Sequence, residues 1–328
     1  MRSRAPDLAR MAVGERLDDP LLVLEVEHRE SRGGGFTLLT LGNRHGKLPT
    51  APFWPADRPR LVGIERGGVA QVSGEISQYL GARQLKVAAI RPLPAANVDW
   101  RCLQPSVDDV APYWERLDRW RGQVRGPRLQ RTLALLFDDA DFRRRFEACP
   151  ASITGHHAEL GGLLRHTAEV AAIGRAIAET SSADADLVLA GALLHDIGKL
   201  EAYRWTGAFE MTERGSLLGH VVLGLLALER LAALAMPCTA VELSILQHLI
   251  ASHHGSLEHG AAVVPMSLEA EILHFADDAS AKTASMADAL ADEGNFSGRS
   301  LVSARPVWQL DRRRVYRGTS DWGVTPGV

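Results

Sequence analysis

Ten of the twelve histidines in this 328-residue chain fall between residues 156 and 274: His156, His157, His166, His195, His220, His248, His253, His254, His259 and His274. Histidine is the side chain most often used to hold a metal near neutral pH. Four short stretches place these residues at expected helix ends or in glycine turns, namely Leu164-Arg-His166-Thr, His195-Asp196, Gly219-His220 and Ser252-His253-His254-Gly255. Asp277, within Leu273-His-Phe-Ala-Asp-Asp278, is a fifth feature, because a small acid has low propensity in the middle of a helix.

The stretch Gly191-Ala-Leu-Leu-His-Asp-Ile-Gly-Lys199 is central. An apolar run, Leu187 to Leu194, carries His195 and Asp196 to its end, and Gly198 offers a helix stop. Neighbouring helical residues point about 100° apart, so this pair can meet only on an ion lying beside the helix end. Imidazole nitrogen next to carboxylate oxygen suits Mn, Fe, Co, Zn or Mg. A lone His-Asp pair is more often a helix cap beside a surface histidine; here the company of the other histidines points to a site.

These residues need scaffolding, and the hydrophobic pattern divides the chain in two. Residues 20–95 read as strands: Leu21–Glu27, Phe36–Leu41, Lys47–Trp54, Gly68–Ile76 and Gln84–Ile90, joined by the turn-like Ser31–Gly35, Gly42–Gly46 and Gly81–Arg83. Five short strands of this kind predict a small all-β barrel of the OB type. Its candidate nucleic-acid face holds Phe36, Arg44, Lys47, Phe53, Trp54, Tyr79, Arg83 and Lys86, since rings stack on bases and cations track phosphates. The competing reading makes Phe53 and Trp54 core and the cations solvated surface.

Residues 1–19 show no periodicity and are expected to form an arm. Residues 96–150 are expected to be a helical linker region, with one helix spanning Tyr113–Phe137 and bearing arginines among acids. Residues 151–295 predict an all-α bundle of helices Leu163–Thr180, Ala185–Ile197, Leu217–Leu234, Val241–Ser252 and Leu268–Leu290. Residues 296–328 form a basic C-terminal segment in which Trp308–Arg317 alternates like a short strand.

Composition excludes several classes. Cys102, Cys149 and Cys238 are far apart, which argues against a disulfide framework or thiolate zinc site and for a reducing cytoplasm. No run of about 20 uninterrupted apolar residues occurs, so no membrane span is expected, and residues 1–10 lack the apolar core of a secretory signal. Residues 1–150 carry 24 Lys and Arg against 19 Asp and Glu, and the remainder carries 13 against 21. That mild asymmetry is compatible with a polyanion-binding module joined to a cation-binding one.

The order His166, His195-Asp196, then Asp277 resembles the signature of the HD-domain metal-dependent phosphohydrolases. The strings His156-His-Ala-Glu-Leu-Gly-Gly-Leu-Leu-Arg-His166, Leu193-Leu-His-Asp-Ile-Gly-Lys199, Gly215-Ser-Leu-Leu-Gly-His220, Ser252-His-His-Gly255 and Glu269-Ala-Glu-Ile-Leu-His-Phe-Ala-Asp277 are similar to those of the YhaM-type 3′–5′ exoribonucleases, which join an OB domain to an HD domain. The likeness runs from about Leu21 to Leu290. It implies that His166, His195, Asp196 and Asp277 hold one metal, and that His220, His253 and His254 hold a second with Asp196 bridging. Seven N/O donors are too many for one tetrahedral ion and suit two metals. Mn²⁺ is the first choice, with Mg²⁺, Co²⁺ or Fe²⁺ as alternatives. Asp196 and Lys199 would be catalytic, Lys199 as a point charge for a phosphate oxygen. The resemblance also leads one to expect an aromatic at Glu159 and acids at Arg165 and Ser280. His157, His248, His259 and His274 are expected to be supporting residues, and His156 is assigned to neither group.

The resulting expectation is a cytoplasmic enzyme, with monomer and oligomer both open, that hydrolyses single-stranded RNA, with single-stranded DNA as the alternative substrate, to nucleoside 5′-monophosphates. Two rival readings remain open at this point. One is an HD phosphodiesterase of small nucleotides or cyclic dinucleotides with a regulatory OB domain. The other is a non-catalytic nucleic-acid-binding protein with a structural metal.

Overall fold

The computed structural model describes residues 5–31, 34–94, 96 and 98–318. The expected arm and C-terminal segment lie partly outside them, as do two residues of the Ser31–Gly35 turn.

An antiparallel sheet comes first. Its strands are β1 (Arg16–Ser31), β2 (Gly34–Asn43), β3 (Gly46–Pro49), β4 (Val69–Tyr79) and β5 (Ala82–Leu93), in the order β3-β2-β1-β4-β5. The long β1 pairs with β4 through its first half and with β2 through its second, and a register shift between Val23 and Glu25 follows the changeover. Alternation explains the faces. Leu21, Val23, Leu39, Leu41, Val72, Ile76 and Leu85 fill the concave core. Leu22 and Val69 point the other way, onto Leu103, so the run Leu21–Leu24 is apolar on both faces. No ladder closes the sheet among the described residues, and its two edges touch through an isolated parallel bridge, Thr50 with Leu85.

Helices follow: α1 (Trp100–Leu103), α2 (Ala111–Arg121), α3 (Pro127–Phe137), α4 (Ala140–Ala148), α5 (Gly162–Ala178), α6 (Ala185–Leu194), α7 (Lys199–Ala202), α8 (Glu213–Ala235), α9 (Ala240–Ser252) and α10 (Leu268–Ala291). A two-residue hairpin, β6 (Tyr203–Arg204) with β7 (Glu210–Met211), sits between α7 and α8. Helix α6 is buried from Val188 to Leu194 on every side, so it carries no amphipathic signal and forms the centre of the bundle. Asp184 caps it by accepting from the amides of Asp186 and Leu187. Helices α5 and α10 pack close to it because Gly174 leaves no room for a β-carbon beside Val188.

Three elements differ from the sequence reading. The single helix over Tyr113–Phe137 is two, because Gly122 and Gly126-Pro127 interrupt it. Both pieces join the bundle core through Trp114, Leu117, Leu133 and Phe137, so this stretch is packed structure. The Trp308–Arg317 strand is a 3-10 turn, Trp308–Leu310, followed by isolated bridges, since Asp311 and Arg312 adopt φ of 53° and 56°. Arg16–Asp19 of the expected arm belong to β1.

By length and mean hydropathy α8 is long and apolar enough to cross a membrane. Its backbone is broken at Gly219, however, and Val221, Leu223, Gly224 and Leu228 face the bundle.

Candidate metal centre

Each imidazole of the centre is aimed by the atom behind it. His195 ends α6, and its Nδ1 lies 2.8 Å from the Ala192 carbonyl. His253 ends α9 with Nδ1 2.7 Å from the Ile250 carbonyl, and His254 places Nδ1 2.8 Å from the His259 carbonyl. A carbonyl only accepts, so each Nδ1 carries the proton and each Nε2 presents a lone pair. His166, on α5, donates from Nδ1 to Ser280 Oγ at 3.0 Å, and that hydroxyl donates onward to Glu169 Oε2 at 2.9 Å. His220 is delivered by the break at Gly219, whose φ of 71° and ψ of 159° are open essentially to glycine alone.

These lone pairs converge. His166 Nε2 lies 3.3 Å from His195 Nε2 and 3.0 Å from Asp277 Oδ1. His220 Nε2 lies 3.1 Å from His254 Nε2. Two groups result, His166 with His195 and Asp277, and His220 with His253 and His254. Asp196 stands between them: Oδ2 is 3.1 Å from His195 Nε2, and Oδ1 is 3.4 Å from His220 Nε2 and 3.9 Å from His253 Nε2. All seven residues that the sequence singled out as ligands are therefore gathered at one place.

The donor set calls for cations. Lone pairs that face one another repel unless a positive charge lies between them, and His253 Nε2 and Asp196 Oδ1 are both buried without a hydrogen-bond partner. Burial pushes His220 down to about 3 and also lowers His253, so both are neutral and able to donate a lone pair at physiological pH. Burial works against ionised Asp277, but His166, His195 and His253 beside it together outweigh that and hold its carboxyl low. Lys199 Nζ sits 2.5 Å from Asp196 Oδ2, and the two hold each other ionised against the desolvation that both suffer. Two carboxylates against one ammonium leave the buried centre electron-rich, which fits divalent metal.

Gly198 is not a left-handed helix stop, for its φ is −66°. It is glycine because a β-carbon there would lie 1.9 Å from the His220 carbonyl, so its absence lets the α6–α7 turn abut α8 beside a candidate ligand.

The remaining histidines lie outside the two groups. His157 binds Glu169 Oε2 at 2.9 Å, His248 accepts from the Met266 amide, and His274 donates to the His253 carbonyl. His156 places its ring 5.3 Å from that of His166, and burial pushes it down to about 3. Residue-type reasoning missed Glu169 as a partner of the site. The available signal was spacing, because Glu169 follows His166, and Ser280 follows Asp277, by one helical turn. The unexpected Glu159 and Arg165 pair with each other at 3.1 Å, and Arg165 also holds Glu169.

In the candidate nucleic-acid face some side chains are exposed and others are already engaged. Phe36 and Trp54 adjoin, with ring centroids 5.3 Å apart. Phe53 is core, 4% exposed. Arg44 pairs with Asp108, and Arg83 donates to the carbonyls of Met11 and Ala9, so both serve the fold. Tyr79 and Lys86 are exposed on the β4–β5 hairpin, and Lys47 is exposed at the far end of β2–β3.

The HD domain family model matches residues 163–282, the stretch that carries all seven candidate ligands. The protein named 3′-5′ exoribonuclease YhaM of Bacillus subtilis (strain 168) is 31% identical over 318 residues, covering 94% of this chain and 96% of its own. Its namesake from Bacillus velezensis is 32% identical over 320 residues, with the same two coverages. The chain belongs to the YhaM family. The one from Shouchella clausii, 32% identical over 319 residues, extends the likeness across 93% of this chain and 94% of its own. The family likeness thus spans both the sheet and the bundle.

Proposed function

We infer that this protein is a metal-dependent 3′–5′ exoribonuclease. The observation that carries the reading is Asp196, whose two oxygens face two separate groups of nitrogen and oxygen donors in a chain of the YhaM family. We assign His166, His195, Asp196 and Asp277 to one divalent ion and His220, His253, His254 and Asp196 to a second, with Mn²⁺ the first choice. When bound, such ions supply Lewis acidity to phosphoryl oxygens and make water a usable nucleophile near neutral pH. The protein's own residues do the rest. Lys199 keeps Asp196 ionised and brings positive charge to where the phosphate must sit. Ala192, Ile250 and His259 carbonyls and Ser280 hold the imidazoles in the tautomer that presents Nε2. Water adds to the terminal phosphorus, the P–O3′ bond breaks, the departing O3′ takes a proton, and a nucleoside 5′-monophosphate leaves.

We assign residues 20–95 to an OB-type module that grips single-stranded RNA. The Thr50–Leu85 bridge between its edges supports this, being a first step of barrel closure. Phe36, Trp54, Lys47, Tyr79 and Lys86 are its contact residues in this reading. We assign residues 151–295 to the hydrolytic domain. A cytoplasmic setting agrees with three cysteines that form no disulfide among the described residues.

The test is a 5′-end-labelled single-stranded RNA oligomer incubated with Mn²⁺ beside Asp196→Ala. A descending ladder that vanishes in the variant is the expected result, and an oligomer left intact by the wild type overturns the reading.

A further inference from the structure

The basic C-terminal segment builds one wall of a cavity beside the metal centre. The cavity measures about 260 Å³, and His156, Asp288, Asp292, Asn295 and Trp308 line it. Two observations connect it to the chemistry. The loop that carries His156 forms one side, and the His156 ring lies 5.3 Å from the ligand His166. Helix α10 forms the floor: Ser285, also in the lining, is two turns beyond Asp277, about 12 Å along the axis.

Trp308 is displayed rather than packed. Its neighbours Val307 and Leu310 are 8% and 0% exposed and anchor the segment on Ala289 and Phe296, while Trp308 itself is 76% exposed. A large ring held out on an anchored turn, at the mouth of a cavity next to a phosphodiester site, is suited to stacking on a base. The carboxylates sharpen the ligand's chemistry. Asp288 makes no ion pair among the described residues, and Asp292 spends one oxygen on the Gly294 amide. Acids here repel a phosphate but accept hydrogen bonds from hydroxyl groups. In RNA, only the 3′-terminal nucleoside offers a base together with free 2′- and 3′-hydroxyls.

We propose that this cavity is the subsite for the 3′-terminal nucleoside, with its base stacked on Trp308 and its ribose hydroxyls turned toward Asp288, the acid nearer the metal centre. The inference rests on the exoribonuclease reading and deepens it, because it explains why cleavage begins at a 3′ end and releases one nucleotide. A 3′-phosphorylated end would carry its charge into the acidic wall and be excluded.

Two measurements test it. In the first, 5′-AMP is titrated without added metal and followed by tryptophan fluorescence, which requires no turnover. The wild type shows quenching; Trp308→Phe retains affinity but loses that part of the quench; Trp308→Ala weakens binding by about 5- to 150-fold, the range of one lost base–aromatic stack. In the second, a diadenylate is hydrolysed with Mn²⁺. Trp308→Ala raises KM with kcat held, Trp308→Phe restores KM, and Asp288→Asn narrows the preference for a 3′-hydroxyl over a 3′-phosphate. Identical quenching in wild type and Trp308→Phe, or a wild-type KM on the dinucleotide in Trp308→Ala, overturns the proposal. Failure of the wild type to cut any RNA instead overturns the exoribonuclease reading, and the AMP titration then still reports on the cavity.

Discussion

The bundle and the sheet were both read from residue type, and they turned out differently. Seven candidate ligands spread over 112 positions, His166 to Asp277, meet around one carboxylate. The candidate RNA contacts span fewer positions, Phe36 to Lys86, yet only some are free for a ligand: Phe36 and Trp54 adjoin, whereas Phe53 is core and Arg44 and Arg83 are taken up by Asp108 and by backbone carbonyls. The physics of the ligands explains the contrast. A metal ion is a point, so its donors must converge within a few ångströms and each needs a hydrogen-bonded brace. A single strand is a line, read by scattered stacking and charge, and it constrains no single contact tightly.

That contrast can be broken experimentally, and the largest effect belongs to Asp196. Asp196→Ala removes the atom pair that both groups share, so activity should fall by at least about 10³-fold, with two equivalents of Mn²⁺ lost together in a metal-binding titration. Loss of only one equivalent would show that the two groups are independent. Next comes the brace on His166. Ser280→Ala cuts its connection to Glu169 and should lower metal affinity or kcat by about 10- to 100-fold; unchanged metal affinity and kcat would make the connection incidental. Gly219→Ala strains a backbone that only glycine adopts easily, costing about 1–3 kcal/mol. It should lower Tm and weaken the His220 group before the His166 group.

On the sheet the expected effects are smaller. Trp54→Ala should weaken long single-stranded RNA by about fivefold while leaving a dinucleotide's KM untouched, the reverse of Trp308→Ala. A loss of metal binding in Trp54→Ala would deny the separation of the two regions. The smallest effect is an acid limb. Burial opposes ionised Glu169, but its bonds to His157, Ser280 and Arg165 outweigh this and bring it down to about 2 from the usual 4.5. A carboxylate with a depressed folded pKa contributes stability above pH 4.5 and loses it as pH falls toward 2. Denaturation curves between those values should flatten in Glu169→Gln.

Much of the centre was legible because helix ends announce themselves. His195 and His253 each follow an apolar run, and their Nδ1 atoms find carbonyls three residues back within the same helix, a contact that local geometry provides. Glu169 was not legible, because it reaches His166 only through Ser280, a residue 111 positions away on another helix. The strands were legible from alternation, whereas the fates of Arg44 and Arg83 depended on what folded over them: Asp108 in one case and the carbonyls of residues 9 and 11 in the other.

Sequence by itself determined the sheet-then-helices order, the set of seven candidate ligands and the family, because periodicity, helix-end chemistry and motif spacing are local properties. Tertiary structure decided how Asp196 divides its oxygens, why Gly198 must lack a side chain, and that Trp308 borders the cavity beside His156. Those facts depend on the distance between backbones brought together by packing, which no local pattern of residues encodes.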